Sequence, residues 1–149
     1  QIEKVIAKLK KEMEKAARFL GRPYAIDGIV IRGQQRGQAL GWPTANFVPP
    51  AERVIPPDGV YAATTTWQEQ RFDSVAYIGT RPTFGAGERM VEVYLLNQEV
   101  DLYGQTMTVQ FIARLRGDLV FTTAEALAVR IEQDVREART CLRRLSQAV

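Results

Sequence analysis

Residues 41–47 (GWPTANF) combine side chains that are suited to holding a metal ion and phosphates. Pro43 removes a backbone donor and fixes φ, which disfavours a regular central strand at that point. Thr44 and Asn46 follow at alternate positions, and alternate positions face the same side of an extended backbone. A hydroxyl and an amide carbonyl beside the glycine-punctuated run 33–37 suit a hard cation and its phosphates. Pro, Thr and Asn are also ordinary turn residues, so a plain turn stays open as the alternative.

The composition limits which chemistry these residues can take part in. Histidine is absent from the 149 residues, which excludes Ser-His-Asp and Cys-His catalysis and every His-ligated metal site. A general base must therefore be a carboxylate, with Lys or Tyr as the less favoured choices, and a metal must be hard and oxygen-ligated. The single cysteine, Cys141, permits neither an intrachain disulfide nor a cysteine-rich zinc site.

The bulk properties indicate an ordinary globular domain. The 149 residues suit one domain, and 46% hydrophobic with 25% charged residues is enough apolar material for one core. A net charge of +3 suits anionic small molecules, and no strong nucleic-acid signature accompanies it. No apolar run approaches a membrane span and no signal-peptide pattern is present, so we expect no nucleic-acid or membrane partner and a cytoplasmic location.

Hydrophobic periodicity predicts a helix, a series of strands and a second helix. Residues 2–20 follow helical spacing, with Gly21 as a natural stop. Thr123 resembles the N-cap of a C-terminal helix with one apolar face. Between the helices, β-rich segments separated by turn residues predict strands at 25–32, 44–48, 60–67, 71–78, 91–96 and 106–115.

Sequential strands without intervening helices favour antiparallel pairing. The prediction is a mainly-β fold: a small barrel of about six short strands, flanked by an N-terminal and a C-terminal helix. We assign residues 1–20 to a helix or a linker from an upstream module, and residues 21–149 to the barrel domain with its C-terminal helix. Self-association through the apolar stripe of the 2–20 helix stays open as an alternative role for that segment.

Several short motifs follow one another along the chain. They are LGRPY at 20–24, GWPTAN at 41–46, PDGVY at 57–61, IGTRPTF at 78–84, VEVYLL at 91–96, DLYG at 101–104, Leu115-Arg116 with Phe121, and DVREAR at 134–139. Each motif alone is weak, whereas their order and spacing are specific. In this order they resemble the riboflavin kinase family, specifically the kinase module of bacterial bifunctional FAD synthetases, and the resemblance covers roughly residues 21–140.

The resemblance implies a closed six-stranded Greek-key barrel that transfers the γ-phosphoryl of ATP to the riboflavin 5′-hydroxyl, giving FMN and ADP. Glu92 matches the catalytic carboxylate, and it lies between apolar neighbours in a predicted strand, so it faces the side opposite to theirs. Its alternative role is a solvent-facing strand residue. Matched by position, Thr44 and Asn46 would bind Mg²⁺ and the nucleotide phosphates, Arg116 and Phe121 would lie near the flavin, and the other nucleotide positions are Gly33, Arg36, Leu95, Asn97 and Tyr103.

Some positions depart from the family pattern. Gln38 stands where a basic residue is usual, Tyr77 replaces an asparagine, and Leu119-Val120 lie where a lysine is usual. Arg36 is near enough in sequence to substitute for the first lost cation. Each lost charge-assisted contact is worth about 1.5–3 kcal/mol, so the alternative is a catalytically weak or inactive module that binds flavin or nucleotide.

The resemblance also separates two activities. The adenylyltransferase module of the bifunctional enzymes has no counterpart here, because its nucleotide-binding motif needs histidine. We therefore do not expect this chain to make FAD, and an upstream FMN adenylyltransferase module is a possible partner in a full-length protein.

Overall fold

A computed structural model describes residues 24–31, 44–80, 89–96, 98, 100–117 and 119–147, together with Glu3, Lys4, Lys8 and Lys11. Each of those four N-terminal residues has helical backbone and is exposed, but the predicted helix over 2–20 stays a prediction because the rest of the segment lies outside the described residues. The assignments made for Gly33, Arg36, Gln38 and Asn97 also lie outside them.

The described chain consists of six strands followed by one helix, as the periodicity predicts. The elements are β1 (Tyr24–Ile29), β2 (Thr44–Phe47), β3 (Gly59–Trp67), β4 (Gln70–Thr80), β5 (Arg89–Leu95), β6 (Thr106–Arg116) and α1 (Ala124–Gln147). No helix among the described residues is long and apolar enough to cross a membrane.

All six strands belong to one antiparallel sheet, in the order β1-β6-β3-β4-β5-β2. Two register shifts in the β3–β6 ladder are of the kind that bends and twists a sheet. The sheet curls so that its two edges approach each other, and among the described residues they meet at a bridge in which the Ile31 backbone N–H donates to the Asn46 backbone carbonyl oxygen at 2.7 Å. The mainly-β antiparallel fold with a C-terminal helix is confirmed, while complete closure of the barrel stays a prediction.

The two faces of the sheet bury different cores. Side chains on the inner face pack together, among them Phe47, Val91, Val93 and Leu95. Side chains on the outer face, such as Tyr94 and Val75, pack against α1. Strand alternation therefore puts Glu92 and Tyr94 on the face that carries the helix.

The helix is placed by its cap and its apolar face. The Ala126 backbone N–H donates to Thr123 Oγ1 at 3.1 Å, which confirms the predicted N-cap, a contact typically worth about 1 kcal/mol. The predicted apolar face of the helix packs on the sheet. The buried residues of α1 also include one acid, Asp134, which the periodicity did not single out. The full set of buried residues is Ile131, Asp134, Val135, Ala138 and Leu142.

Candidate active site

The β2–β5 ladder brings the predicted metal-binding pair beside the predicted catalytic acid. Asn46 lies directly opposite Glu92, and Thr44 lies opposite Tyr94. The Asn46 Nδ2 group donates a long hydrogen bond to Thr44 Oγ1 at 3.5 Å. Asn46 is only 4% and Glu92 only 6% exposed. A hydroxyl, a carboxamide and a carboxylate therefore share one face of two neighbouring strands, mostly shielded from bulk water.

Tyr94 fixes one oxygen of the Glu92 carboxylate. Its hydroxyl donates to Glu92 Oε1 at 2.7 Å, within the same strand and on the same face. On the other side of β5, Tyr77 of β4 lies directly opposite Glu92. Glu92 thus lies between the Asn46 amide on β2 and the Tyr77 phenol on β4, and its own strand is hydrogen-bonded to a neighbouring strand on both sides.

Asp134 is the centre of a second polar cluster, where α1 crosses the outer face of the sheet. It has no exposed surface. Arg116 donates to both of its oxygens, from Nε to Oδ1 at 2.8 Å and from Nη2 to Oδ2 at 2.7 Å. Tyr77 donates its hydroxyl to Oδ2 at 2.8 Å, and Arg130 Nε lies 3.3 Å from Oδ1. A bidentate arginine and a phenol together satisfy an acid that would otherwise be costly to bury.

Tyr77 joins the two clusters. Its ring lies 4.9 Å from the Tyr94 ring, centroid to centroid, with 52° between the planes. Burial raises the pKa of Tyr77 well above its ordinary value, and the negative charge of Asp134 raises it further. The phenol therefore stays protonated and acts only as a donor toward Asp134.

The two predicted flavin residues lie next to each other at the same cluster. The Arg116 guanidinium carbon lies 5.9 Å from the centre of the Phe121 ring and 5.9 Å from that of Tyr77. These separations suit cation–π contacts. The Arg116 side chain is only 9% exposed, so its charge is directed at Asp134 inside the protein.

A family comparison decides what this arrangement is related to. The family model described as "Flavokinase: Riboflavin kinase" matches residues 20–142. The chain belongs to the riboflavin kinase family. The resemblance inferred from the sequence motifs is confirmed.

Individual relatives agree with this riboflavin kinase assignment. The bifunctional riboflavin kinase/FMN adenylyltransferase of Pseudomonas fluorescens is 42% identical over 129 residues, which are 86% of this chain and 41% of the relative. The chain thus spans about two fifths of the length of the curated relatives it matches. A riboflavin kinase structure from Trypanosoma brucei superposes with a TM-score of 0.61 at 26% identity, over 81% of this chain and 78% of its own.

A second solved structure is more similar in backbone. It is described as a macrolide-efflux protein from Streptococcus pneumoniae, and it has a TM-score of 0.79 at 29% identity, over 89% of this chain and 45% of its own. That description concerns the S. pneumoniae protein alone, and the likeness supports the shared fold.

Two other positions implied by the riboflavin kinase resemblance lie outside the Glu92 cluster. The Leu95 side chain packs in the inner core, on the face opposite to Glu92. Tyr103 is 52% exposed on the β5–β6 connection. The next residue, Gly104, donates its backbone N–H to the Val30 carbonyl oxygen at 2.9 Å, immediately before the Ile31 bridge to Asn46. The connection that carries Tyr103 is therefore tied to the sheet edge beside Asn46.

The donor set suits a divalent cation that arrives with phosphates. Within the described ranges no group of three or more His, Cys, Asp or Glu side chains is placed to hold a metal. Thr44 and Asn46 supply hydroxyl and amide oxygens, which are hard ligands. Mg²⁺ usually takes only one or two protein ligands and completes its shell with phosphate oxygens and water. The residues present therefore fit Mg²⁺ bound together with a nucleotide.

One groove among the described residues lies elsewhere. It has a volume of about 500 Å³ between β6 and α1, and its lining includes Arg136, Thr140, Cys141 and Arg144. It contains none of the predicted site residues, so the chemistry of this riboflavin kinase-family chain is assigned from Glu92 and its neighbours.

Sequence reasoning missed Tyr94 and Asp134 as parts of the site. Tyr94 had a usable signal, because it lies two positions from Glu92 in a strand and must share its face. Asp134 had one too, since it falls three residues after Ile131 and four before Ala138, on the apolar face of the helix. An acid on such a face needs a buried partner, but the identity of that partner depends on the fold.

Proposed function

We propose that this chain transfers the γ-phosphoryl group of ATP to the 5′-hydroxyl of riboflavin, giving FMN and ADP. The observation that carries the proposal is the placement of Asn46 directly opposite Glu92, with Thr44 beside it, on the outer face of β2 and β5. Family membership supports the same reaction, and ATP and riboflavin are the substrates it implies.

Glu92 receives the proton of the attacking alcohol. The riboflavin 5′-oxygen forms a bond to the γ-phosphorus, the bond between that phosphorus and the β–γ bridging oxygen breaks, and ADP leaves. The proton released from the hydroxyl passes to the Glu92 carboxylate. A primary alcohol is a weak nucleophile, and a carboxylate positioned to accept its proton late in the reaction is a suitable helper.

Thr44 and Asn46 hold the phosphate end of the nucleotide. Their side-chain oxygens would ligate Mg²⁺, which supplies charge neutralisation at the phosphates when bound. The backbone carbonyl oxygen of Asn46 accepts a hydrogen bond from the Ile31 N–H, and this bond fixes the backbone from which the Asn46 side chain extends. Gly33, Arg36, Leu95, Asn97 and Tyr103 are proposed as the further nucleotide contacts, with Leu95 acting through its backbone because its side chain packs in the inner core.

Phe121 and Arg116 form the proposed flavin side of the site. Phe121 is partly exposed and offers a ring on which an isoalloxazine can pack. The Arg116 guanidinium is paired with Asp134, so we assign it an indirect role in flavin binding: it positions the Phe121 ring through the cation–π contact.

Several finer features belong to the same proposal. The sheet would close completely into a Greek-key barrel through the seam between Ile31 and Asn46, and residues 2–20 would form a helix. The protein would act in the cytoplasm, and a longer natural chain would join it to an FMN adenylyltransferase module, as in the bifunctional relatives.

The test is a direct assay. The chain is incubated with riboflavin, ATP and Mg²⁺, and FMN is measured by chromatography. Glu92→Gln is expected to lower kcat by about 10²–10⁴-fold, the usual contribution of a general base, with little change in thermal midpoint. Asn46→Ala is expected to impair turnover and to raise the Mg²⁺ requirement. Glu132→Gln, which changes an exposed acid on α1 in the same way, is the matched control and should retain wild-type activity.

Two outcomes would contradict the proposal. Folded protein that produces no FMN beside a working riboflavin kinase would reject the reaction. Full activity of Glu92→Gln would reject the role of the acid while leaving the reaction intact.

A binding module without turnover is the second candidate function. It is favoured by Leu119 and Val120, which are 51% and 96% exposed where the family usually carries a lysine. Quenching of flavin fluorescence on titration without FMN formation would support this candidate. Quenching accompanied by FMN formation would reject it.

A further inference from the structure

We propose that Tyr94 is a positioning residue, whose hydroxyl holds the Glu92 carboxylate in the orientation that accepts the substrate proton. The inference rests on the proposed function, because it needs Glu92 to act as the base. It assigns a role to a side chain that the sequence analysis names only as part of the motif at 91–96.

The contact is short and well shielded. The Tyr94 hydroxyl donates to Glu92 Oε1 at 2.7 Å, and the two residues are 3% and 6% exposed. A hydrogen bond to an ionised group is stronger than one between neutral groups, and it is strongest where water does not compete. Because Oε1 already accepts this hydrogen bond, Oε2 is the more basic oxygen and the one we assign to the substrate proton.

The tyrosine ring is itself held in place. It packs in the cluster between the sheet and α1, which includes Val75 and Leu96, and it lies against the Tyr77 ring at 4.9 Å. Tyr77 is anchored in turn by its hydrogen bond to Asp134. The Tyr94 hydroxyl therefore reaches Glu92 from a ring that has little freedom to turn.

Loss of the hydroxyl would redirect the acid. Asn46 lies directly opposite Glu92, and its amide nitrogen makes only a 3.5 Å hydrogen bond to Thr44. A carboxylate freed from Tyr94 has this amide as an alternative donor across the β2–β5 ladder. Turning toward Asn46 would remove the base from the riboflavin hydroxyl.

The experiment compares two tyrosines that lose the same atom. Tyr94→Phe removes the hydroxyl that reaches Glu92. Tyr61→Phe is the matched control, because Tyr61 is also buried and donates its hydroxyl to the Pro57 carbonyl oxygen at 2.5 Å, in the inner core. Both variants are assayed for kcat, for KM of ATP and of riboflavin, and for thermal midpoint.

We expect Tyr94→Phe to lower kcat by about 10-fold to 100-fold, the range for a lost hydrogen bond to a charged group, with both KM values within about twofold of wild type. Tyr61→Phe should lower the thermal midpoint and leave kcat within about twofold. A purely structural role for Tyr94 predicts instead that the two variants behave alike.

A second pair of variants tests the same contact from the side of the acid. Glu92→Asp keeps the charge but withdraws the carboxylate from Tyr94 by one methylene. We expect it to lower kcat, and we expect Tyr94→Phe to cause little further loss in that background, because the contact is already broken. Equal fold losses in the two backgrounds would overturn the inference.

The failure of the inference is distinguishable from that of the proposed function. Wild-type chain that forms no FMN refutes the reaction. Wild-type chain that forms FMN, together with Tyr94→Phe at wild-type kcat, refutes the role of Tyr94 alone.

Discussion

Asp134 offers a test of how the helix is fastened to the sheet. Asp134→Asn keeps the shape of the side chain and removes its charge. The native acid is fully buried and accepts two hydrogen bonds from Arg116 and one from Tyr77. An asparagine retains one acceptor oxygen and turns an NH₂ group toward donors that it cannot satisfy.

The expected loss is large because the cation left behind is also buried. The Arg116 side chain is only 9% exposed, so little solvent is available to compensate its charge. Removing one partner of a buried ion pair typically costs about 3–5 kcal/mol. At roughly 2–4 °C per kcal/mol for a chain of this size, the thermal midpoint should fall by about 6–20 °C.

Urea unfolding measured at pH 7 gives the free energy directly, provided that the m-value is unchanged. Arg130→Gln is the control, because Arg130 touches the same acid at 3.3 Å from a side chain that is 25% exposed. It should cost about 1 kcal/mol or less. The double variant Asp134→Leu/Arg116→Met, which removes both charges, should recover most of the stability.

The reasoning would be refuted by a loss below 1 kcal/mol in Asp134→Asn, or by a loss equal to that of Arg130→Gln. Either result would mean that the buried pair contributes no more than an ordinary surface contact. The packing of α1 would then depend on its apolar residues alone.

Two further predictions concern the curled sheet. Gly28→Ala should lower the free energy of unfolding by about 1–3 kcal/mol or more, because an added Cβ would lie 2.0 Å from Phe47 Cδ2. Gly117→Ala is the control and should change the stability little, because its Cβ would meet nothing closer than 3.6 Å. Equal urea midpoints for the two variants would contradict this prediction. The second prediction concerns stability at alkaline pH. Burial raises the pKa of Tyr61 to about 12 and that of Tyr77 well above its ordinary value. Their stabilising effect is complete below the unfolded-state pKa near 10 and is lost as pH rises toward the folded-state values, by up to about tenfold in the unfolding constant per pH unit for each group. Tyr77→Phe should remove its share, so urea midpoints between pH 9 and 11.5 should fall less steeply than in wild type, and an unchanged slope would rule out this account.

Local patterns predicted the elements well because the physics that forms them is local. Alternation and β-branched residues marked all six strands to within a few residues, and Thr123 marked the start of the helix. The same alternation put Glu92 on the face opposite to Val91 and Val93, as the structure confirms.

The strand order was beyond local patterns. Nothing near Asn46 indicates that its partner is Glu92, since the β2–β5 pairing depends on how the whole sheet curls. The family resemblance supplied that juxtaposition in advance, and the ladder register then placed both residues side by side. The partners of Asp134 are non-local in the same way, because Arg116 and Tyr77 come from two strands that only the packed helix brings together.

The sheet topology holds the backbone at Glu92 more firmly than the backbone at Asn46. Glu92 sits on a strand with neighbours along both sides, whereas Asn46 belongs to a four-residue strand that, within the described residues, is joined on its outer side through the bridge to Ile31. Spontaneous local opening begins where few backbone hydrogen bonds must break, so it should start at Asn46 and leave Glu92 in register. With the roles proposed above, an incoming nucleotide would meet backbone at Asn46 that can move, while the Glu92 carboxylate keeps its position.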